Sequence, residues 1–178
     1  RSALDAVSRV MHQSVMPCAL EFMDHRSIDA IRPTGTADDL PPGTRALLMV
    51  EADGAAEDLP RQITALENAL QGPGLLEMKR GFEPEAIAQL WAARKSLSHA
   101  VKRIAPLKIN EDIVVPVSQL GDFVDFIDHT AHAHRLAVVS FGHAGNGNLH
   151  VNLMVHPDDA DEMERAHVAL DAILLRAL

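Results

Sequence analysis

Apolar residues along the chain recur with two spacings, one typical of helices and the other of strands. In several segments they return every three or four positions, which predicts amphipathic helices with one buried face each. The predicted helices cover residues 2–13, 59–70, 83–104, 118–134 and 160–178. A further helical turn is expected at residues 27–32.

Short apolar or alternating runs between these helices predict strands. They lie at residues 18–23, 45–52, 75–79 and 107–115, and in the runs 136–140 and 153–156 near the end. Residues 45–79 read as a β-α-β unit, whereas residues 33–44 are rich in Pro, Gly, Thr and Asp and predict a loop. The order predicts an α+β fold, with an antiparallel or mixed sheet of roughly five or six strands, helices packed on it and ferredoxin-like character.

The segment from Phe141 to Asn152 predicts a β-hairpin, because Asn146-Gly147 is a strong signal for a two-residue turn. The pairs that this turn predicts are Gly145 with Asn148, Ala144 with Leu149, and His143 with His150. Directly opposed residues have Cβ atoms about 4.5–5.5 Å apart, so two imidazoles on one face can reach one metal ion. Asn152 should point to the same face, because side chains alternate along a strand.

Glycines surround the two histidines of the hairpin, at positions 142, 145 and 147. They leave room for a ligand to approach the backbone. A phosphate-binding loop is a rival use of such glycines, but neither Lys nor Ser/Thr follows and no helix begins there. Histidines at a hairpin also serve as ordinary surface or core residues, and this reading stays open beside the metal site.

Arg94 lies in the apolar stripe of the helix predicted at residues 83–104, and Ser98 lies one turn later on the same side. A guanidinium in an apolar stripe requires an anion, because burying an unpaired charge is unfavourable. That anion is either a carboxylate of this protein or one belonging to a ligand. In the second case, replacing Arg94 with alanine should leave the empty fold intact or slightly stabilised.

The composition excludes some classes of partner. The formal net charge of −9 argues against nucleic acid and anionic membranes, which bind basic surfaces. No apolar run has the length of a membrane span, and the single Cys18 cannot form an internal disulfide. We expect a cytoplasmic protein, with peripheral attachment to the inner membrane and homo-oligomerisation left open. The chain begins at Arg1 and stops at Leu178 inside a helix, so we expect a piece of a longer polypeptide.

The stretch Gly142-His-Ala-Gly-Asn-Gly-Asn-Leu-His150 resembles the G-H-x-G-D-G-N-x-H signature of the C-terminal domain of FAD-linked oxidases. This family includes the glycolate oxidase flavin subunit, D-lactate dehydrogenases and D-2-hydroxyglutarate dehydrogenase. Other segments resemble it in the same order, namely Pro17 to Asp24, Ala46 to Gly54, Leu90 to Lys95 and Glu111 to Pro116. One departure is Asn146, where the family has Asp; it keeps the turn but removes a charge that would favour a metal.

The resemblance implies a role for each candidate residue. His143 and His150 would be catalytic and bind a divalent metal, with zinc favoured by the ligand types. Arg94 and Ser98 would bind the substrate carboxylate, with Lys108 or Asn110 as further candidates, and Asn152 would contact the substrate. The parent reaction would oxidise a D-2-hydroxy acid, such as glycolate or D-lactate, to the 2-oxo acid.

The resemblance also implies parts beyond this chain. Residues 1–178 would be the cap domain, FAD would be held by a domain upstream, and a third metal ligand, a Glu, would lie downstream. We therefore expect a fragment that is inactive alone and binds metal weakly or not at all. The alternatives are a non-catalytic ferredoxin-like module that binds a metal or a small acid, and a purely structural interaction domain.

Overall fold

The strands form one antiparallel sheet in the computed structural model, which describes residues 1–178. The sheet has the order β2-β1-β4-β5-β3. Its strands are β1 (Ala19–Met23), β2 (Leu47–Glu51), β3 (Leu107–Val114), β4 (Ala137–His143) and β5 (Asn148–Val155). The predicted α+β class is confirmed, and the sheet contains no parallel pair.

Six α-helices pack on the two faces of this sheet. They are α1 (Ser2–Met11), α2 (His25–Ile31), α3 (Leu59–Leu70), α4 (Pro84–Ala100), α5 (Leu120–Ala133) and α6 (Ala160–Ala177). Side chains of α1, α3, α5 and α6 form the larger core with one face, and those of α2 and α4 form a smaller core with the other. None of the helices has both the length and the apolar content that a membrane span requires.

The face that carries the smaller core is only partly covered by helices. Met23, Val139, Phe141 and Met154 are buried beneath α2 and α4. The side chains that β3 contributes to this face are exposed instead, and Val114 among them is 63% exposed. Because strand side chains alternate, β3 directs one set of its side chains into the larger core and the other set to this face. The uncovered area is therefore accessible to a partner or a ligand.

Asp24 ties α2 to the sheet at the end of β1. Its carboxylate caps the helix by accepting a hydrogen bond from the Ser27 N–H at 2.7 Å, and it accepts another from the Ser140 N–H at 2.7 Å. Burial raises the pKa of this carboxyl group. The two backbone donors are the partners that a buried carboxyl group needs, so the position of α2 relative to β4 is fixed at this point.

The hairpin differs from the predicted one in its turn. Four residues, Ala144 to Gly147, connect the strands, and Ala144–Asn146 form a 3₁₀ turn. Only Gly147 has a positive φ, of 78°, whereas a type I′ turn needs positive φ at both central residues. Asn146 instead accepts a hydrogen bond from the Asn148 N–H through its side chain, at 3.2 Å. The turn chemistry of Asn146 therefore operates through its side-chain oxygen.

The predicted pairing of His143 with His150 is consequently wrong. His150 pairs with Phe141, and His143 pairs with Asn148. The pairing differs from the prediction by two positions, and because strand side chains repeat every two residues, both histidines still lie on one face. They are diagonal neighbours instead of direct partners.

The predicted strand at residues 75–79 is not formed, so residues 45–79 do not make a β-α-β unit. The chain turns at Gly72, whose carbonyl accepts a hydrogen bond from the Leu75 N–H at 3.4 Å, and no strand pairs with the following residues. Side chains hold the segment instead, with Lys79 Nζ 2.6 Å from Asp39 Oδ2 and Arg80 paired with Glu67. An apolar run of strand length forms a strand only where a sheet edge pairs with it.

We predict that Gly147→Ala destabilises the protein by at least about 2 kcal/mol more than Gly43→Ala. Both glycines have a left-handed φ, 78° and 83°, so the backbone strain of the two substitutions is similar. A Cβ at Gly147 would overlap the carbonyl oxygen of Val115, whereas a Cβ at Gly43 meets nothing within 4 Å. Urea unfolding of both variants measures the difference, and equal losses would contradict the close approach of the hairpin to Val115.

Candidate active site

His143 and His150 lie side by side on the sheet face that the helices leave partly uncovered. Their ring centroids are 5.4 Å apart and the ring planes are inclined at 78°. His143 ends β4 with half of its side chain exposed, while 21% of the His150 side chain is exposed. The structure thus brings the two predicted histidines together, through a register other than the predicted one.

A carboxylate holds each imidazole at its Nδ1 atom. Nδ1–H of His143 donates a hydrogen bond to Oε1 of Glu21, and Nδ1–H of His150 donates to Oδ1 of Asp112 at 2.5 Å. A carboxylate accepts hydrogen bonds but donates none, so these contacts assign the proton to Nδ1. The Nε2 lone pair of each ring is then available to a ligand. The hydrogen bond from His150 also holds the pKa of the Asp112 carboxyl group below its usual value.

Glu21 is the anion that pairs with Arg94. Nε–H of Arg94 donates to Oε2 of Glu21 at 2.8 Å, and only 5% of the Glu21 side chain is exposed. The Arg94 guanidinium also lies over the ring of Phe141, 4.7 Å from its centroid, which is a cation–π geometry. The carboxylate of Glu21 therefore joins the arginine of α4 to the histidine of β4.

The pairing with Glu21 leaves much of the guanidinium of Arg94 unused. Its hydrogen bond to Glu21 uses Nε, and the chain provides no hydrogen-bond partner for the two Nη groups. Two Nη groups can bind both oxygens of a second carboxylate in a planar fork. The two readings that the sequence left open for Arg94, an internal partner and a ligand, are therefore compatible.

A cleft of about 710 Å³ opens beside this cluster. Among its lining residues are Arg94, Ser98 and His143, together with Glu21 and Lys95. The rest of its lining is largely apolar and consists of Met11, Met16, Pro17, Cys18, Ala19, Leu20, Trp91, Gly145 and Asn146. The cleft therefore brings three of the five predicted site residues to one surface.

Asn152 does not line this cleft. It is fully buried, and its Nδ2 donates hydrogen bonds to the carbonyls of Val139 at 3.0 Å and His150 at 3.1 Å. Its Oδ1 is buried without a hydrogen-bond partner. Asn110 pairs with Asn152 in the sheet but is exposed, as is Lys108 two positions away on the same face. A substrate contact of Asn152 stays a prediction.

Sequence reasoning missed Glu21 as a site residue. The signal was available, because a glutamate stands between Leu20 and Phe22 in a short apolar strand. A carboxylate on the buried face of a strand needs a cationic or hydrogen-bonding partner, as does an arginine in an apolar helix stripe. The sequence pattern did not reveal that Glu21 and Arg94 form an ion pair with each other, because they are 73 positions apart.

The histidines meet only part of what a metal site requires. Both rings have a carboxylate at Nδ1, which is the usual outer partner of a metal-bound histidine. A zinc site, however, has at least three protein ligands, and the chain contains no group of three or more His, Cys, Asp or Glu side chains that could hold a metal ion. The chain alone supplies two candidate ligands, and the predicted metal is not supported by its own residues.

Comparison with known proteins gives a consistent family. The family model described as "FAD linked oxidases, C-terminal domain" matches residues 1–178. Glycolate oxidase subunit GlcD of Bacillus subtilis is 30% identical over 99% of this chain and 37% of its own length. The probable mitochondrial D-lactate dehydrogenase of Danio rerio is 24% identical over 100% of this chain and 36% of its own length. D-2-hydroxyglutarate dehydrogenase of Stutzerimonas stutzeri is 29% identical over 65% of this chain and 25% of its own length. The chain thus spans little more than a third of the first two relatives.

We predict that Arg94→Ala lowers the free energy of unfolding by about 2–3 kcal/mol. The substitution leaves the buried carboxylate of Glu21 with His143 as its remaining side-chain hydrogen-bond partner, so we no longer expect an intact or stabilised fold. Arg103→Ala is the matched control, because Arg103 follows α4 and is exposed. Chemical unfolding measures both variants; a loss no larger for Arg94→Ala than for Arg103→Ala would mean that the ion pair does not stabilise the fold.

Proposed function

Since the chain belongs to the family of C-terminal domains of FAD linked oxidases, we propose that it binds the substrate of a flavin-dependent enzyme that oxidises a D-2-hydroxy acid. The product would be the 2-oxo acid. The observation that carries the proposal is the cleft in which Arg94, Ser98 and His143 meet. These side chains match the two polar groups of such an acid, a carboxylate and an adjacent hydroxyl.

Arg94 would bind the substrate carboxylate through its free Nη groups. The guanidinium is held from the other side by Glu21 and by the ring of Phe141, so its orientation is set before the substrate arrives. Ser98, one helical turn further along α4, lines the same cleft and would donate a hydrogen bond to the carboxylate. A fork that is already oriented loses less entropy on binding than a free side chain does.

His143 would act on the substrate hydroxyl through Nε2. Oxidation removes a hydride from C2 and a proton from the hydroxyl, so the site needs a group that takes up that proton. With Nδ1–H bound to Glu21, Nε2 is the basic nitrogen, and the nearby carboxylate would stabilise the imidazolium that forms. His150 would lie beside it, with its own proton held by Asp112.

The cofactors belong to the same proposal. Bound FAD would accept the hydride from C2. A divalent metal, with zinc as the first candidate, is the alternative to His143 as the general base. It would be held by Nε2 of His143, Nε2 of His150 and a third ligand from outside these residues, and it would lower the pKa of the hydroxyl so that another group takes up the proton. We propose that residues 1–178 form the cap domain and that another domain of the same protein holds FAD.

We predict that Arg94→Ala in the full-length flavoprotein lowers kcat/KM for D-lactate or glycolate by about 100-fold or more. Arg94→Lys should also be impaired, because an ammonium lacks the planar fork. Arg103→Ala, which changes an exposed arginine of the chain, should stay within a few-fold of the wild type. The measurement is steady-state reduction of an artificial electron acceptor. Wild-type protein that binds these acids without oxidising them would favour the non-catalytic binding module.

We also predict that the 178-residue chain binds zinc weakly and that His143→Ala weakens this binding further. His132→Ala is the control, because His132 is an exposed histidine of α5. Calorimetric titration of zinc into the three proteins makes the comparison. Tight binding abolished by His143→Ala would reveal a third ligand within the chain. Equal binding by both variants would remove His143 from the proposed metal site.

A further inference from the structure

We infer that Glu21 is a positioning residue that holds two side chains of the site in a fixed relative orientation. These are Arg94, which would bind the substrate carboxylate, and His143, which would act on the hydroxyl. The inference rests on the proposed function, since it assigns these two tasks to the arginine and the histidine. Each oxygen of the Glu21 carboxylate has a different partner, Oε2 with Arg94 and Oε1 with His143. One rigid group thereby fixes both side chains relative to each other.

The effect of Glu21 on His143 concerns which nitrogen carries the proton. Neutral histidine in water favours the tautomer with the proton on Nε2. An acceptor at Nδ1 reverses this preference, because only Nδ1–H can satisfy it. Glu21 therefore leaves the Nε2 lone pair of His143, a residue that lines the cleft, as the atom that can accept a proton or bind a metal ion.

The effect of Glu21 on Arg94 is to orient the guanidinium group. The carboxylate takes Nε–H of a side chain that is 16% exposed, and Phe141 supports one face of the guanidinium. The Nη edge is left as the part that has no partner in the chain. An arginine held at Nε presents a planar fork to an incoming carboxylate.

Burial makes this bridge different from an ordinary surface ion pair. Only 5% of the Glu21 side chain is exposed, so the carboxylate has little water to replace a lost partner. By contrast, Asp112, which holds His150, is 57% exposed and has no arginine partner. Asp112 can orient one ring, whereas Glu21 connects two functional groups.

The test compares Glu21→Gln with Asp112→Asn in the 178-residue chain. Glutamine replaces one of the two carboxylate oxygens with an NH2 donor, so a side chain in the place of Glu21 offers an acceptor to Arg94 or to His143 but not to both. Nitrogen-15 NMR of the histidine rings and of the Arg94 Nε–H, at a pH where the rings are neutral, reports both contacts without any activity assay. Titration with oxalate, a stable two-carbon probe with adjacent carboxylates, reports anion binding at Arg94.

In the wild-type chain we expect His143 to carry its proton on Nδ1. In Glu21→Gln, either the His143 proton moves to Nε2 or the Arg94 Nε–H signal shifts to that of a free side chain, and oxalate affinity falls about 10-fold or more. Asp112→Asn should change the His150 tautomer and leave oxalate binding within a few-fold of the wild type. Glu111→Gln, which removes a half-buried carboxylate on the opposite sheet face, controls for net charge and should leave all these signals unchanged.

Two results would overturn the inference. One is a wild-type His143 with its proton on Nε2, which needs no variant and stands even if Glu21→Gln fails to fold. The other is a folded Glu21→Gln whose His143 tautomer, Arg94 signal and oxalate affinity equal those of the wild type. If the wild-type chain binds no oxalate, the proposed function fails, while the tautomer of His143 still decides the role of Glu21.

Discussion

A carboxylate inside a sheet must be paired, and in this protein the pairing of Glu21 determines how the site is assembled. Moving an ion away from water costs several kcal/mol, so an unpaired Glu21 in β1 would be strongly destabilising. Its two partners come from distant parts of the chain, Arg94 from α4 and His143 from the end of β4. The need to satisfy one buried charge thus brings a helix and a hairpin together at the same point.

The cleft lies at one end of the sheet, where α4 passes the start of β1 and the turn of the hairpin, beside the face that carries the smaller core. Helices α2 and α4 cover the inner strands on that side, and apolar side chains such as Met23 and Val139 fill the contact. Over β3 the same face is exposed, and its side chains do not line the cleft. A functional group beside such a boundary can be rigid on its buried side and accessible on the other, as Arg94 is between Glu21 and the cleft.

Structural features that follow from periodic spacing along the chain could be predicted from the sequence, whereas pairings between distant residues could not. The helical stripe of α4 revealed Arg94 as a charge in an apolar setting, and the structure supplies its partner in Glu21. The period of two along a strand gave the common face of His143 and His150. It could not give the register, because an error of two positions preserves every side-chain direction. The run at residues 75–79 resembled a strand, yet strand formation depends on a neighbouring edge that local sequence does not encode.

An acidic chain that would bind an acid needs a local reversal of charge, and the cleft provides one. The formal net charge is −9, which repels anions at long range. At physiological ionic strength, however, interactions between exposed charges are largely screened beyond about 8 Å. The lining of the cleft contains two cationic side chains, Arg94 and Lys95, and one carboxylate, that of Glu21, which is already paired. The charges that line the cleft therefore matter more for binding than the net charge does, and the guanidinium of Arg94 favours an anion there.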